Sequence, residues 1–533
     1  MTSTWDELVT TALLGTERRT VPVRQEPGQE AAAALLDAAA VRTVQRRAAL
    51  LPVAARARPG AAPRDGRPAL PEAARRRLAL LLADRAGPGG GGRRGGAPDL
   101  TELLPQWLAA ANGHGYRAPA ALLPALLEAA RARSDLRPEA LALGGPRALW
   151  LARLNPQWKY ALRGNAAPAA TAVPASGDGA GERAWQEGLF AERVALLAAL
   201  RRRDPAAARE LLASTWGKER AEDRLMFLDS LREGLSDADE PFLEQALSDR
   251  SRNVRATAAE LLSTLPGSAL AARMAERARG CVALDRTTGA GPRIVVEAPP
   301  ECDSGMERDG VVAKPPSGRG ERSWWLSQLV EAAPLAIWCE RFGVGSAAEA
   351  VALPVADGWQ PDLHAAWCRA AVRQGDAEWS RALLGPAATP PAPAGSSWLD
   401  PAKLLSALPP VERAEWVAEF IAVHGLSEAF RLLGVCAVPW AEPLGRAVVD
   451  ALDSAREAGG YPWSFSGVMG LAERCLDPDQ ADHLAALTAA PEEAATAPTP
   501  STGAADYWTE AFQRLIGTLR LRATMRAELA GTA

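Results

Sequence analysis

The sequence predicts an all-α chain of stacked helix pairs. Three observations carry that prediction: the apolar residues are mostly helix formers, Pro205 after Asp204 and Pro241 stand where helices open after turns, and one helix–turn–helix pattern returns along the chain. Apolar residues make up 48% and charged residues 23% of the 533, close to globular averages, which excludes wholesale disorder and allows a sizeable core. Ala and Leu dominate, Ile is scarce, and the 17 Trp outnumber 8 Phe and 4 Tyr together. Ala and Leu favour helix, whereas β-branched and aromatic residues favour strands. At about 100–200 residues per domain, the length fits roughly two to four domains or one long repeat array.

Composition divides the chain into five stretches. Residues 1–162 read as an N-terminal helical region with a Gly-rich linker at 87–98, where GPGGGGRRGG cannot hold regular structure. A second linker, 163–183, is rich in Ala, Pro, Gly and Ser. Helix pairs follow over 184–280, then an irregular segment over 281–320, then a C-terminal helical repeat region over 321–533. Within the irregular segment RIVVE (293–297) is the one short strand the sequence suggests.

The 184–280 block is the most legible. RVALLAALRRRDPAAARELLAS reads as helix, turn, helix: Asp204 can cap, and Pro205 suits the first helical position. EDRLMFLDSLREGLSDADEPFLEQAL repeats that design, with Leu225, Leu228 and Leu231 on one face and Pro241 opening the next helix. In the following segment a helix ends at Leu247, SDRSRN turns, and VRATAAELLSTL forms a second helix before Pro266. Asp249, Val254-Arg255, Ala258-Ala259, Leu261-Leu262 and Leu265-Pro266 fall in the order of a HEAT-type repeat, which pairs two helices over about 40–47 residues. Small Ala lets helices approach, Leu fills the space between them, and Asp with Arg can bond between adjacent repeats. DPAAARELL (204–212) and DAEWSRALL (376–384) share D-x4-R-x-L-L, 172 residues apart, about four such repeats. The whole reads as a HEAT/armadillo-like α-solenoid of antiparallel helix pairs with Gly/Pro-rich loop insertions.

Trp5-x2-Leu8-Val9-x2-Ala12-Leu13-Leu14-Gly15-Thr16-x-Arg18, the Leu154-Asn155-Pro156-Gln157-Trp158 segment, the DP-x3-AR-x-LL…VR run and RDGVVAKPPSGRGERSWWLSQLVEAAPLAIW (308–338) together resemble one uncharacterised bacterial family, domain of unknown function fifty-six ninety-one. The resemblance covers most of the chain and supplies no catalytic residues. Genes of that family tend to lie beside those for MoxR-type AAA ATPases and von Willebrand factor A-type proteins, which implies a partner in an ATPase-driven assembly. That implication is association, not mechanism.

Net charge is −4, but residues 1–100 carry 16 Arg against 10 acids, which leaves the remainder acidic. A chain dedicated to nucleic acid normally shows a dominant basic face. Six scattered Cys without a CxxC suit reduced thiols rather than a disulfide framework. MTSTWDELVTTALLGTERRT lacks the pattern of a signal peptide, and the apolar run at 31–44 is interrupted by Asp37 and Arg42, so a cytoplasmic chain without a membrane span is expected.

Candidate chemistry is sparse. The glycines of 87–96 follow no strand, and Gly217-Lys218 lacks the upstream Gly of a phosphate loop. His364 and Cys368, four apart, can share a helix face toward one ion; His424, Cys436, Cys475 and His483 are further soft ligands, with no spacing of a zinc site. Buried core is the plainer reading of these Cys. No GxSxG and only four His leave little for acid–base or nucleophilic catalysis. No cofactor or metal is therefore expected. Arg201–Arg203, Arg250, Arg252 and Arg255 with Trp216 make nucleic-acid binding the alternative from another class, although Glu219, Glu222, Asp237, Asp239 and Glu240 interleave. Trp324-Trp325, Trp359, Trp398, Trp440, Trp463 and Trp508 can line a peptide groove or fill gaps between helix pairs. The expectation is a non-catalytic scaffold mediating protein–protein interaction, with a candidate surface at Asp249, Arg252 and Arg255. Asp249 and Arg255 also suit a ladder between repeats, and a third possibility is an enzyme of unrecognised type.

Overall fold

The structure is a computed structural model; it describes residues 4–48, 59–83, 100–163, 185–188, 190–287, 291–389, 400–488 and 502–532. The chain divides into two compact units, Met1–Pro63 and Arg64–Ala533. Both are built of helices, so the all-α class holds. The linkers expected at 87–98 and 163–183 lie, Arg163 apart, outside the described residues, as does Trp398.

The first unit contains α1 (Trp5–Leu14) and α2 (Ala31–Ala48). Thr4 and Glu7 start α1 by exchanging hydrogen bonds: Glu7 Oε2 accepts from the Thr4 amide at 2.8 Å, and Thr4 Oγ1 from the Glu7 amide at 3.3 Å. Leu8, Val21 and Leu35 make a small core, while Leu13, Leu36 and Val44 stay exposed.

The second unit opens with α3 (Glu72–Ala83), α4 (Leu100–Gly113), α5 (Leu123–Ala132) and α6 (Arg137–Leu154). The 184–280 block folds into α7 (Phe190–Arg203), α8 (Pro205–Thr215), α9 (Ala221–Asp229), α10 (Glu240–Ala246), α11 (Arg252–Leu262) and α12 (Ala269–Cys281). Asp204 caps α8, its carboxylate accepting from the Ala207 amide at 2.9 Å, with Pro205 as the first helical residue. Pro241 stands in the first turn of α10, and the turn at 248–251 separates it from α11.

A two-stranded antiparallel sheet follows: β1 (Val282–Asp285) pairs with β2 (Arg293–Val296) in the register Val282↔Val296. The sequence marks β2; its partner, VALD, hides as the continuation of α12. Then come α13 (Ser304–Arg308), α14 (Glu321–Ala332), α15 (Ala336–Phe342), α16 (Ala347–Ala352), α17 (Gln360–Gln374), α18 (Ala377–Leu384) and α19 (Pro401–Ala407). The chain ends with α20 (Pro410–Leu433), α21 (Glu442–Glu457), α22 (Ser466–Cys475), α23 (Ala481–Thr488) and α24 (Thr502–Ala530).

Packing runs along the chain order. Helix α7 packs on α8, α11 on α9 and α10, α12 on α14, α14 on α17, α17 on α18 and α19, and α20 on α21. One continuous core extends from Trp185 to Leu519. Helix α24 then leaves this order: it packs on α3 and α4, and its Met525 and Leu529 fill a second core shared with Leu78, Leu104 and Leu126. Among the described residues no helix is long and apolar enough to cross a membrane.

Candidate interaction surface

The arginines of the 184–280 block are largely spent on holding helices together. Arg201, almost fully buried, donates to the carbonyls of Glu233 at 2.8 Å and Gly234 at 3.0 Å and pairs with Asp239. Asp239 also accepts from Arg209 at 3.0 Å and from the Ser236 amide at 3.1 Å. Burial opposes ionisation of this carboxyl, yet the arginine hydrogen bonds outweigh it and hold its pKa below the ordinary value. Buried groups left unpaired would be costly, so these bonds fix the turn between α9 and α10.

Of the three residues marked in the sequence, two are turned inward. Asp249, with only 7% of its side chain exposed, pairs with Arg224 at 2.8 Å and accepts from the Ser251 amide at 2.8 Å. Arg255 donates to the Asp249 carbonyl at 2.8 Å and bends back over the turn it follows. Arg252, at the start of α11, is exposed. The structure thus joins Asp249 and Arg255 around one turn and leaves Arg252 facing solvent. Sequence reasoning did not mark the next link, Asp309. It is buried and accepts from Arg273 at 2.9 Å and Arg277 at 2.7 Å; those bonds keep its pKa low although burial pushes the other way. Its only signal was a place in the family-like RDGVV stretch.

The tryptophans separate cleanly. Trp338, Trp367 and Trp379 are buried with ring centroids 6.0 Å and 5.2 Å apart, and Phe342 completes the cluster. Of those considered for a groove, Trp325, Trp440 and Trp508 are buried, and Trp324 and Trp359 are half-buried. Trp463 alone of the described members of that set is exposed, at 55%. It stacks on exposed Tyr461 at 4.3 Å and meets exposed Tyr507 edge-on at 5.4 Å.

A groove of about 950 Å³ lies between α20 and α21, and Phe465, two residues after Trp463, is part of its lining. Helix α20 is broken at Gly425, whose φ of 81° only glycine adopts readily, and the break forms part of the wall. Ile421, Val423 and Phe465 give it an apolar lining, and Glu442, Arg446 and Asp450 a polar edge. Ser454 and Ala455 line it too, and the Gly460 amide donates to the Ala455 carbonyl at 3.0 Å at the start of the loop carrying Tyr461 and Trp463.

His364 and Cys368 do share a face of α17, but that face is the core. Both are buried, His364 stacks on Trp367 at 5.4 Å, and burial drives the imidazole pKa down to about 4 and the thiol up to about 12. Among the described residues no group of three or more His, Cys, Asp or Glu is arranged to hold a metal ion.

The profile of one family, described as Family of unknown function (DUF5691), matches residues 7–529. The chain belongs to that family. The DUF5691 match begins inside α1 and ends inside α24, so the family spans both units, the 184–280 helices, the β-hairpin and the helix that fills the second core. No curated protein and no solved structure matches the chain.

Proposed function

We propose that this DUF5691 member is a non-catalytic helical-repeat scaffold, a HEAT/armadillo-like solenoid that docks other proteins in the cytoplasm. The observation that carries this reading is the recurrence of one unit at two places. Asp204 and Asp376 each cap a helix, by accepting from the amides of Ala207 and Trp379. Five residues on, Arg209 and Arg381 each reach a carboxylate about 30 residues downstream, Asp239 and Glu412, and the leucine pair that follows packs into the core. Repetition of cap, arginine link and leucine pair is what a repeat array needs to stack one helix pair on the next. An array of this kind works by presenting side chains along an extended face.

The partner class that the family resemblance implies is a MoxR-type AAA ATPase with von Willebrand factor A-type proteins. The nucleic-acid alternative draws less support: of the six arginines it rests on, Arg201 is buried, Arg202 faces Glu233 at 3.3 Å and Arg255 is held on backbone carbonyls, which leaves Arg203, Arg250 and Arg252 exposed to meet phosphates. Purification of the tagged protein from its native cell, followed by mass spectrometry, tests the proposal. Recovery of an ATPase or a von Willebrand factor A-type protein supports it. Recovery of nucleic acid without protein reverses the order of the two readings.

A further inference from the structure

The exposed aromatic patch has a charge to match its shape. Tyr461 and Trp463 follow the C-terminus of α21, and Tyr507 stands on α24. Around them along the chain lie Glu457, four residues before Tyr461, Asp506, next to Tyr507, and Glu510, one helical turn beyond it and so on the same face. All three carboxylates are exposed. The nearest arginines in sequence are committed elsewhere, Arg456 to Asp453 at 2.8 Å and Arg514 to Glu473 at 2.7 Å. Glu457, Asp506 and Glu510 therefore stand in no ion pair with a described residue.

Exposed aromatic rings are uncommon on a protein surface that has no partner for them, and here Trp463 meets both Tyr461 and Tyr507. A ring face attracts a cation, Trp most strongly, and a planar guanidinium stacks on it while donating to neighbouring carboxylates. The lining of the α20–α21 groove adds the acids Glu442 and Asp450; its Arg446 is bound to Glu442, and its His424 sits 3.0 Å from the Ala387 carbonyl. Phosphate backbones are repelled by such a surface, whereas an extended basic peptide is complementary to it.

We propose that Tyr461, Trp463 and Tyr507, with Glu457, Asp506 and Glu510, form a docking site for an arginine-bearing peptide segment of a partner protein, whose chain continues into the α20–α21 groove. This rests on the reading of the molecule as a scaffold and gives the partner a chemical description. One arginine stacks on the aromatic patch and sets the register. Apolar residues of the same segment reach Val423 and Phe465 in the groove.

The test uses the purified full chain and two fluorescein-labelled peptides, octa-arginine and octa-citrulline, followed by anisotropy at physiological salt. Octa-citrulline has nearly the same shape without the charge. Octa-arginine is expected to bind at least about tenfold more tightly than octa-citrulline, and Trp463→Ala to weaken it by about tenfold. Trp463→Phe keeps most of the affinity, and Glu510→Gln lowers it a few-fold and flattens its salt dependence. Trp463 is exposed, so an unchanged thermal melt for Trp463→Ala separates lost binding from lost folding. Octa-arginine that fails to bind, octa-citrulline that binds equally, or a Trp463→Ala chain that binds octa-arginine as the parent does would each overturn the site. So would a single-stranded oligo-dT whose binding depends on Trp463. The scaffold reading fails by a different result, the absence of any protein from the native-cell purification, so the two outcomes are distinguishable.

Discussion

Arg209 and Arg381 hold the same station on two helices whose caps lie 172 residues apart in sequence. Each stands five residues after an aspartate cap and two residues before a leucine pair, and each bridges forward to a carboxylate. Their surroundings differ, and the difference sets their worth. Asp239 is fully buried between Arg201 and Arg209, whereas Glu412 and Arg381 are partly open to water.

Asp239→Ala is therefore expected to destabilise the chain by about 3–5 kcal/mol, because it leaves the buried Arg201 without its counter-charge. Glu412→Ala should cost at most about 1 kcal/mol, as solvent already screens that pair. Urea denaturation followed by circular dichroism compares the two. Equal effects would mean that burial does not govern the worth of these ion pairs.

Stability should also fall with acidification through one histidine. His364 is neutral in the core with a pKa of about 4, against an ordinary 6.5. Between those values the unfolded chain binds a proton that the folded chain does not, so stability is complete above pH 6.5 and is lost as pH falls toward 4. The window spans about 2.5 units, on the order of 3 kcal/mol at about 1.4 kcal/mol per unit. His364→Phe should flatten that limb of a stability–pH curve, and the low-pKa carboxylates Asp239 and Asp309 should still produce the loss below it.

Gly310 sits against α11. Its φ is +92°, and a Cβ built there would lie 2.4 Å from the Ala259 Cβ. Gly310→Ala is expected to lower stability by about 2–4 kcal/mol, from backbone strain and overlap together. Adding Ala259→Gly should recover the overlap but not the strain. A double-mutant cycle on thermal melts measures the split, and additive effects would show that the two residues do not press on each other.

The second core depends on the last helix. Arg77 donates to Glu528 at 2.6 Å, the Tyr116 hydroxyl to the Leu529 carbonyl at 2.9 Å, and Leu529 itself is buried. Leu529→Ala should cost about 2–5 kcal/mol. Hydrogen exchange at α3 and α4 should speed up in this variant more than at α14 or α17; a uniform change along the chain would contradict the packing described.

Local signals in the sequence were easy to read because they act through neighbours. Asp204 with Pro205, the leucine faces of the repeat block and the RIVVE strand are decided within a few residues, and each stands where the sequence puts it. Pairings across the chain left no such trace. VALD before the hairpin reads as more helix until RIVVE lies beside it. Asp309 looks like any loop acid, since Arg273 and Arg277 are more than 30 residues upstream. Trp463 was one of seven candidate tryptophans, and the sequence could not separate it from buried Trp440 and Trp508, because exposure is settled by tertiary packing. Its companions Tyr461 and Tyr507 carried no signal of their own. Nothing at the C-terminus announced that Met525 and Leu529 belong with helices formed near residue 100.

That last arrangement also bears on how the polypeptide is made. Helices α3 to α6 emerge from the ribosome tens of seconds before residues 525 and 529, at a translation speed of about 5–20 residues per second. Through that interval the nascent segment carries apolar side chains that only Met525 and Leu529 will cover, a natural target for a holdase chaperone until those residues arrive.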